Sequence, residues 1–359
     1  MLFLNKEQGE ILMKKLFSIL VALLLVVVAA ACGNEQSSTD TGNGDNNSSD
    51  YQGESYEWTL GFNTPENSVR GEAAKAFKEV LEEKTGGKVT VEIFPGEILG
   101  SEQEMLEQVR TGALDMELVG GGAMQNIIPE YSVLALPFMV ESYEEAYAVL
   151  DGEIGDELKA KAEEKGYKVL THTDLGFAQI TNSKRPIKTP DDLEGLKIRS
   201  PQEPTSVETF TQLGAAVTTM AFTEVYMGLQ QNVIDGQFNP LDAIYENNFH
   251  EVQDHLTITN HFYYHVNFIM NNELFNSLEK ELQDIVLEAA KEAQKVSREY
   301  TQKKNEEMLD VLAEELEVVS DPDLQAFRDK IDYEPFYEFV GQDFLEKTQQ
   351  FIEDYRANK

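Results

Sequence analysis

Residues 278–316 run without a glycine or proline and repeat their apolar side chains at helical spacing, so the stretch reads as one helix. At 1.5 Å per residue it would be about 58 Å long, close to twice the diameter of a small domain. Helices of that length with charge-laced faces tend to bridge domains rather than sit inside one. The helix therefore requires two lobes and would serve as their shared spine. A chain of 359 residues has the length for them, at ~100–200 residues per domain.

The rest of the chain supplies alternating strands and helices. Trp58 to Phe62 alternates as a strand, and Ser68 to Lys84 carries Ala73, Ala76, Phe77, Val80 and Leu81 at helical spacing until Gly86-Gly87. Val89 to Phe94 is a second strand, Glu102 to Arg110 a helix, and Leu114 to Val119 a third strand. This β–α–β–α–β rhythm predicts an α/β lobe with a largely parallel sheet. Further along, 168–173, 177–182, 196–200 and 262–270 are strand-like, while 205–213 and 222–231 read as helices. There is no internal repeat.

The first residues do not belong to that fold. Lys14 and Lys15 precede the apolar run Leu16 to Ala31, which ends in small residues at Cys32-Gly33. A basic start, a short apolar core and a small-residue cleavage zone make a secretory signal peptide. The run is shorter than the ~20 residues that span a bilayer. Cys32 is the only cysteine, and its place after Ala29-Ala30-Ala31 resembles a bacterial lipobox, in which the cysteine is lipidated and becomes the mature N-terminus. Met13 looks like the natural start, leaving 1–12 as an upstream extension. Residues 34–55 are nearly all small and polar; such a run cannot bury enough apolar area to offset its ordering entropy and is expected to be a flexible linker.

Charge and motif content then remove whole classes of function. The chain has 29 Lys+Arg against 65 Asp+Glu, a net charge of −36, so it lacks the basic surface that nucleic-acid binding needs. Any attachment to anionic lipid has to come from the anchor at Cys32 alone. No nucleophile elbow or phosphate loop is present, and Gly120-Gly121-Gly122 lacks dinucleotide spacing. Those glycines serve either tight packing or open space beside a ligand. His261 and His265 lie four apart without the HExxH context or third ligand of a zinc site. No metal, cofactor or catalytic residue is expected.

The chemistry concentrates between Gly176 and Leu241. Arg199 ends a short strand just before Pro201. In an open α/β sheet ligands bind beyond the carboxyl ends of the strands, and an arginine there offers a planar donor fork to a carboxylate. A structural arginine paired with Asp or Glu remains the alternative on these grounds alone. Phe222 could equally be core, and Asn239 a turn residue before Pro240.

The segment Leu193-Glu-Gly-Leu-Lys-Ile-Arg199-Ser-Pro, followed by Leu213-Gly-Ala-Ala-Val-Thr-Thr-Met-Ala-Phe222-Thr-Glu-Val-Tyr and Val233-Ile-Asp-Gly-Gln-Phe-Asn239-Pro-Leu241, resembles the solute-binding proteins of TRAP (tripartite ATP-independent periplasmic) transporters, in the dicarboxylate- and sialate-binding branch. The similarity runs from about Trp58 to Tyr355, with supporting pieces at Phe94-Pro95, Leu99-Gly100, Pro129-Glu130 and Leu136-Pro137-Phe138. It implies an α/β, two-lobe periplasmic-binding-protein-like clamshell with a long lobe-spanning helix. By resemblance Arg199 clamps the ligand carboxylate, Asn239 hydrogen-bonds it, and Phe222 packs against the ligand. Asn63, Gln202 and His261 match further cleft positions.

Two departures bear on the ligand. Many relatives have an arginine where this chain has Ala178, and sialate binders have polar groups where it has Gly120 to Ala123. The resemblance then leaves one fewer cation and more room, which makes a monocarboxylate with a larger polar or apolar body, such as a sugar acid, at least as good a candidate as a small dicarboxylate such as succinate. Lys184 or Arg185 are the available sources of a second charge. The expected organisation is a signal peptide over 1–31, a lipidated Cys32 with linker to 55, lobe I from 56–177 plus about 266–300, and lobe II from 178–265 plus about 301–359. The expected role is capture of an organic acid and delivery to a membrane permease, as a monomer outside the cell membrane. A ligand-sensing subunit for a receptor kinase is the alternative role, and an extracellular enzyme a remote one.

Overall fold

The computed structural model describes residues 51–359, so the leader, the lipidation candidate Cys32 and the linker up to residue 50 lie outside the described residues. Residues 51–55, expected as the end of the linker, are described with the domain. Tyr51 is 1% exposed, its hydroxyl donates to the Glu54 carbonyl at 2.9 Å, and the Lys88 ammonium lies 5.8 Å from its ring. One aromatic among small polar residues has apolar area worth burying, and it pins 51–55 to the domain.

The first sheet has the strand order β2-β1-β3-β10-β4. Its strands are β1 (Tyr56–Gly61), β2 (Val89–Phe94), β3 (Met116–Gly120), β4 (Tyr167–Phe177) and β10 (Tyr263–Asn271). β2 and β3 lie parallel to β1, whereas β10 is antiparallel to both β3 and β4. The parallel half thus fits the β–α–β–α–β reading, and β10 runs the other way because it re-enters from the second lobe. Helices α1 (Val69–Lys84) and α2 (Glu102–Thr111) are the crossovers. Ser68 caps α1 by accepting from Gly71 N at 3.3 Å. Ser101 and Glu104 form a reciprocal capping box on α2, which fixes Glu102 at its first position. Segment 121–166, in which the sequence reading assigned no element, contains α3 (Gly121–Met124), a 3-10 turn at Pro129–Ala135, α4 (Tyr143–Asp151) and α5 (Glu153–Glu164).

Ala178 alone separates β4 from β5 (Gln179–Asn182), which belongs to a second sheet of order β11-β9-β5-β8-β6-β7. That sheet holds β6 (Lys197–Ser200), β7 (Ala216–Thr219), β8 (Gly236–Asn239), β9 (His255–Thr257) and β11 (Glu317–Val319), with β6 parallel to β7 and β8. Three further helices lie in this lobe, α6 (Pro204–Gln212), α7 (Val225–Gln230) and α8 (Leu241–Glu246). The chain returns through 258–262 into β10, and the Ala178 amide donates to the Phe262 carbonyl at 2.9 Å, so the two crossing strands are tied together. After α9 (Asn272–Ser277), the long helix α10 spans Lys280–Glu315.

The buried face of α10 changes along its length. Leu282, Val286, Ala289, Ala290 and Ala293 join the larger core, Ser297 and Thr301 are buried in the middle, and Met308 and Leu312 enter a separate cluster with Val225, Leu229 and Ile244. The helix is therefore anchored by apolar packing at both ends, while its fully buried positions between them are the small hydroxyl residues Ser297 and Thr301. The chain finishes in α11 (Leu324–Lys330), α12 (Tyr337–Val340) and α13 (Gln342–Ala357). These depart from the expected allotment of 301–359 to lobe II: α13 packs on α4 and α12 on the 129–135 turn, and Arg356 pairs with Glu145 at 2.8 Å. The amphipathic face Phe344, Leu345, Thr348 and Ile352 covers apolar area that α4 would otherwise expose.

Candidate functional site

A cavity of about 170 Å³ lies where the carboxyl ends of both sheets face each other. From the second lobe come Arg199, on β6, and Asn239, the last residue of the neighbouring parallel strand β8. Arg199 is 4% exposed. Its Nε and Nη2 donate to the Met220 carbonyl at 3.2 and 3.0 Å, its guanidinium lies 5.8 Å from the Phe222 ring, and it has no salt bridge among the described residues. Burial pushes its pKa below the ordinary arginine value, and Tyr264, Glu203, Glu102 and Glu97 offset part of that. An arginine keeps its proton regardless. Asn239 donates to Gln237 Oε1, and Phe222 packs edge-on against Phe249 with centroids 5.7 Å apart.

The first lobe contributes residues just beyond β1, β2 and β3. Asn63 follows β1 and accepts from Arg70 Nη1. The same Nη1 forms a 2.8 Å ion pair with Glu102, whose carboxylate also accepts from Gly120 N at 2.9 Å. Arg70 is 4% exposed and sits in the first turn of α1. The sequence reading missed it. Ala178 and Gly120–Ala123 suggested a cation fewer, but the second cation comes from a helix start, where composition gives no sign that it turns inward. Glu97, in a left-handed turn residue after β2 (φ 59°), accepts from Thr223 Oγ1 of the other lobe at 2.7 Å.

Glu203, also missed, is 6% exposed and immediately precedes α6. Ser206 Oγ donates to its Oε2 at 3.0 Å. Burial, then the nearby Glu102 charge, pushes its pKa up to about 7. A Cβ at Gly122 would lie 2.0 Å from Glu203 Oε1, and one at Gly121 would lie 2.2 Å from the His265 ring. At Gly120 it would approach Arg70 Nη2 at 3.3 Å. The three glycines thus serve close approach of these side chains.

Five of the six residues expected at the cleft, Asn63, Arg199, Gln202, Phe222 and Asn239, line the cavity, and His261 does not. His261 is 1% exposed, hydrogen-bonds Thr259 at 2.6 Å and packs among Phe210, Phe238 and Phe262; burial drives its pKa down to about 3. Lys184 pairs with Asp235 at 3.4 Å, and Arg185 donates to the Asp192 and Glu194 carbonyls; neither lines the cavity. Among the described residues no cluster of His, Cys, Asp or Glu could hold a metal ion, and no helix is long and apolar enough to cross a membrane. Two more hydrogen bonds join the lobes: Asn126 to the Gln202 carbonyl at 3.1 Å, and Thr205 to Gln125 at 3.0 Å.

Comparison with known proteins agrees with this arrangement. Residues 60–339 match the family described as bacterial extracellular solute-binding protein, family 7. The chain is 36% identical over 273 residues to the 2,3-diketo-L-gulonate-binding periplasmic protein YiaO of Escherichia coli K12, covering 76% of this chain and 83% of that one. The sugar acid binding protein DctPAm from Advenella mimigardefordensis, solved with galactonate, has a TM-score of 0.82 at 29% identity, covering 84% of this chain and 99% of that one. A TRAP periplasmic solute binding protein from Sulfurospirillum deleyianum, solved with bound succinate, has a TM-score of 0.78 at 31% identity, covering 82% and 99%. The two-lobe α/β fold, the spanning helix and the family match together place the chain in family 7 of the bacterial extracellular solute-binding proteins, as a TRAP-type solute-binding protein and not an enzyme.

Proposed function

We propose that the chain captures an organic acid outside the cytoplasm by clamping its carboxylate on Arg199, with Asn239 as a second donor and Phe222 against the ligand body, and delivers it to a TRAP membrane permease. The observation that carries this reading is a buried arginine in a cavity wall with no counter-ion among the described residues, in a chain of net charge −36. Desolvating a lone guanidinium costs several kcal/mol, and an incoming carboxylate is the partner that offsets it. Asn63, Arg70 and Gln202 shape the remainder of the cavity. The relatives' ligands, a diketo sugar acid, galactonate and succinate, all carry the carboxylate that Arg199 would hold.

Ligand capture proceeds by lobe closure about the crossing at Ala178 and 258–262, with α10 bending between the lobes. Support comes from the single-residue crossing and from the hydrogen bonds Thr223–Glu97, Asn126–Gln202 and Thr205–Gln125, which join the two lobes. Cys32 carries the lipid that holds a monomeric binding domain at the membrane, and residues 33–50 provide reach. A thermal-shift panel of D-galactonate, D-erythronate, 2,3-diketo-L-gulonate and succinate tests the capture. Ligand at a hundred times its Kd stabilises by about 2.7 kcal/mol, so at least one acid raises the melting temperature of the wild type and none raises that of Arg199→Ala. Equal shifts in both proteins refute the clamp.

A further inference from the structure

Apart from Arg199, the charged groups of the cavity wall are mainly carboxylates. Glu97, Glu102 and Glu203 all line it, and the one cation among them, Arg70, is already engaged by Glu102 and Asn63. Glu203 Oε1 receives no hydrogen bond among the described residues, since Ser206 donates to Oε2. Tyr264, 8% exposed, also lines the cavity. Its hydroxyl lies near Ser206 and has no partner in hydrogen-bonding geometry among the described residues. The wall therefore holds a free acceptor at Glu203 Oε1 and an unpartnered hydroxyl at Tyr264.

We propose that Glu203, with the Arg70–Glu102–Asn63 cluster, makes this a site for a hydroxylated monocarboxylate, and that Glu203 is the residue that discriminates it from a dicarboxylate. The inference rests on Arg199 as the carboxylate anchor and concerns the rest of the ligand. A second carboxylate there would face three glutamates and a single arginine that is already paired. An ammonium group would be drawn to these carboxylates but could only donate, leaving Arg70 Nε and the Tyr264 hydroxyl without an acceptor. A hydroxyl group donates to Glu203 Oε1 and accepts from Arg70 or Tyr264, satisfying both kinds of group without adding charge. A site built to hydrogen-bond hydroxyls discriminates strongly against analogues that lack them, because its own buried polar groups are left unpaired. Gly122 is part of the device, since only a residue without Cβ leaves room for the Glu203 carboxylate.

Titration calorimetry on the purified chain tests this with D-erythronate and D-galactonate as hydroxylated monocarboxylates, hexanoate as the monocarboxylate without hydroxyls, and succinate and adipate as dicarboxylates. The wild type is expected to bind an aldonate at least a hundredfold more tightly than hexanoate, succinate or adipate. Glu203→Gln removes the acceptor charge while keeping the shape, and is expected to lose tenfold or more for the aldonate while gaining for the dicarboxylates. Gly122→Ala displaces the same carboxylate by contact and is expected to narrow the aldonate-to-dicarboxylate ratio likewise, which covers a failure of the first variant to fold. A wild type that prefers succinate or adipate overturns the proposal, as does a ratio that stays within threefold in both variants. Failure of the anchor reads differently: Arg199→Met would then keep its affinity for all the acids, whatever happens to the ratio in Glu203→Gln.

Discussion

Replacing Arg199 by methionine should move ligand affinity and ligand-free stability in opposite directions. The guanidinium is 4% exposed and has no counter-ion among the described residues, so the folded protein carries a desolvation cost of several kcal/mol. Against this, the variant loses the two hydrogen bonds to Met220 at 3.2 and 3.0 Å, leaving that carbonyl short of a donor at about 1–3 kcal/mol. It also loses the contact 5.8 Å from the Phe222 ring, worth about 0.5–1 kcal/mol. Methionine fills most of the volume with a flexible apolar chain. The balance is a ligand-free protein unchanged or more stable by roughly 1–3 kcal/mol, a rise of about 2–5 °C in melting temperature for a domain of this size. Binding goes the other way. Two charge-assisted hydrogen bonds to a carboxylate, at ~1.5–3 kcal/mol each, correspond to a loss of roughly 10²–10⁴ in affinity. Melts without ligand and calorimetry with the tightest acid of the panel read both quantities. A variant that melts several degrees lower while binding within threefold of wild type would show that Arg199 is structural, and the argument from its unpaired charge would be wrong.

Three further outcomes follow from the same structure. Glu203 has its folded-state pKa raised from 4.5 to about 7 by burial, so the folded protein binds a proton there that the unfolded chain has released. Its contribution is full below about pH 4.5 and is lost as pH rises through about 7, at ~1.4 kcal/mol per unit. Buried His261 and His265, pushed down to about 3 and about 4, slope the other way, so the informative quantity is the melting temperature of Glu203→Gln minus that of wild type. This difference should become more positive from pH 5 to pH 8, and a flat difference would refute the shift. Gly176→Ala places a Cβ at φ 91°, 2.7 Å from Asn305 Nδ2 and 2.8 Å from the Tyr143 hydroxyl. It should cost about 1–3 kcal/mol in urea unfolding, and an unchanged midpoint would mean that this crossing relaxes freely. Cys32→Ala should move the protein from the membrane fraction to the soluble extracytoplasmic fraction; continued membrane partitioning would exclude the lipid anchor.

Much of the fold was legible because its signals were local. The strand at 89–94 and the long helix, expected over 278–316 and observed at 280–315, follow from periodicity bounded by turn residues. Arg199 stood out because it ends a strand just before a proline, whereas Asn239 was placed only by the resemblance to TRAP solute-binding proteins, its local context reading equally as a turn before Pro240. The parts that escaped depend on contacts remote in sequence. Arg70 reads as an ordinary basic residue on the helix 69–84, and only its meeting with Glu102 across 32 positions shows that it faces the cavity. Glu203 stands beside Gln202 and Pro204 with nothing local to distinguish it from a surface acid; its partner is a glycine 81 residues earlier. The direction of β10 and the docking of the final helices on α4 are likewise tertiary, set by where the chain must return rather than by its composition.

The alternation of side chains along α10 has a mechanical consequence. Its two ends are fixed by leucine, valine, alanine and methionine, while Ser297 and Thr301 occupy the buried face between them. Ser297 is tied to β4, donating to the Asp174 carbonyl at 3.2 Å and accepting from the Asp174 amide at 2.8 Å, so a bend of the helix pivots beside the crossing of β4 into β5. From Thr301 to Glu315 the arm is about 20 Å at 1.5 Å per residue, and a bend of about 10° displaces its tip by roughly 3–4 Å. The tip leads directly into β11, at the edge of the second sheet. A displacement of that size is comparable to the spacing of packed side chains, so occupancy of the cavity becomes a change of surface shape far from the ligand. A membrane partner could read that change without touching the ligand.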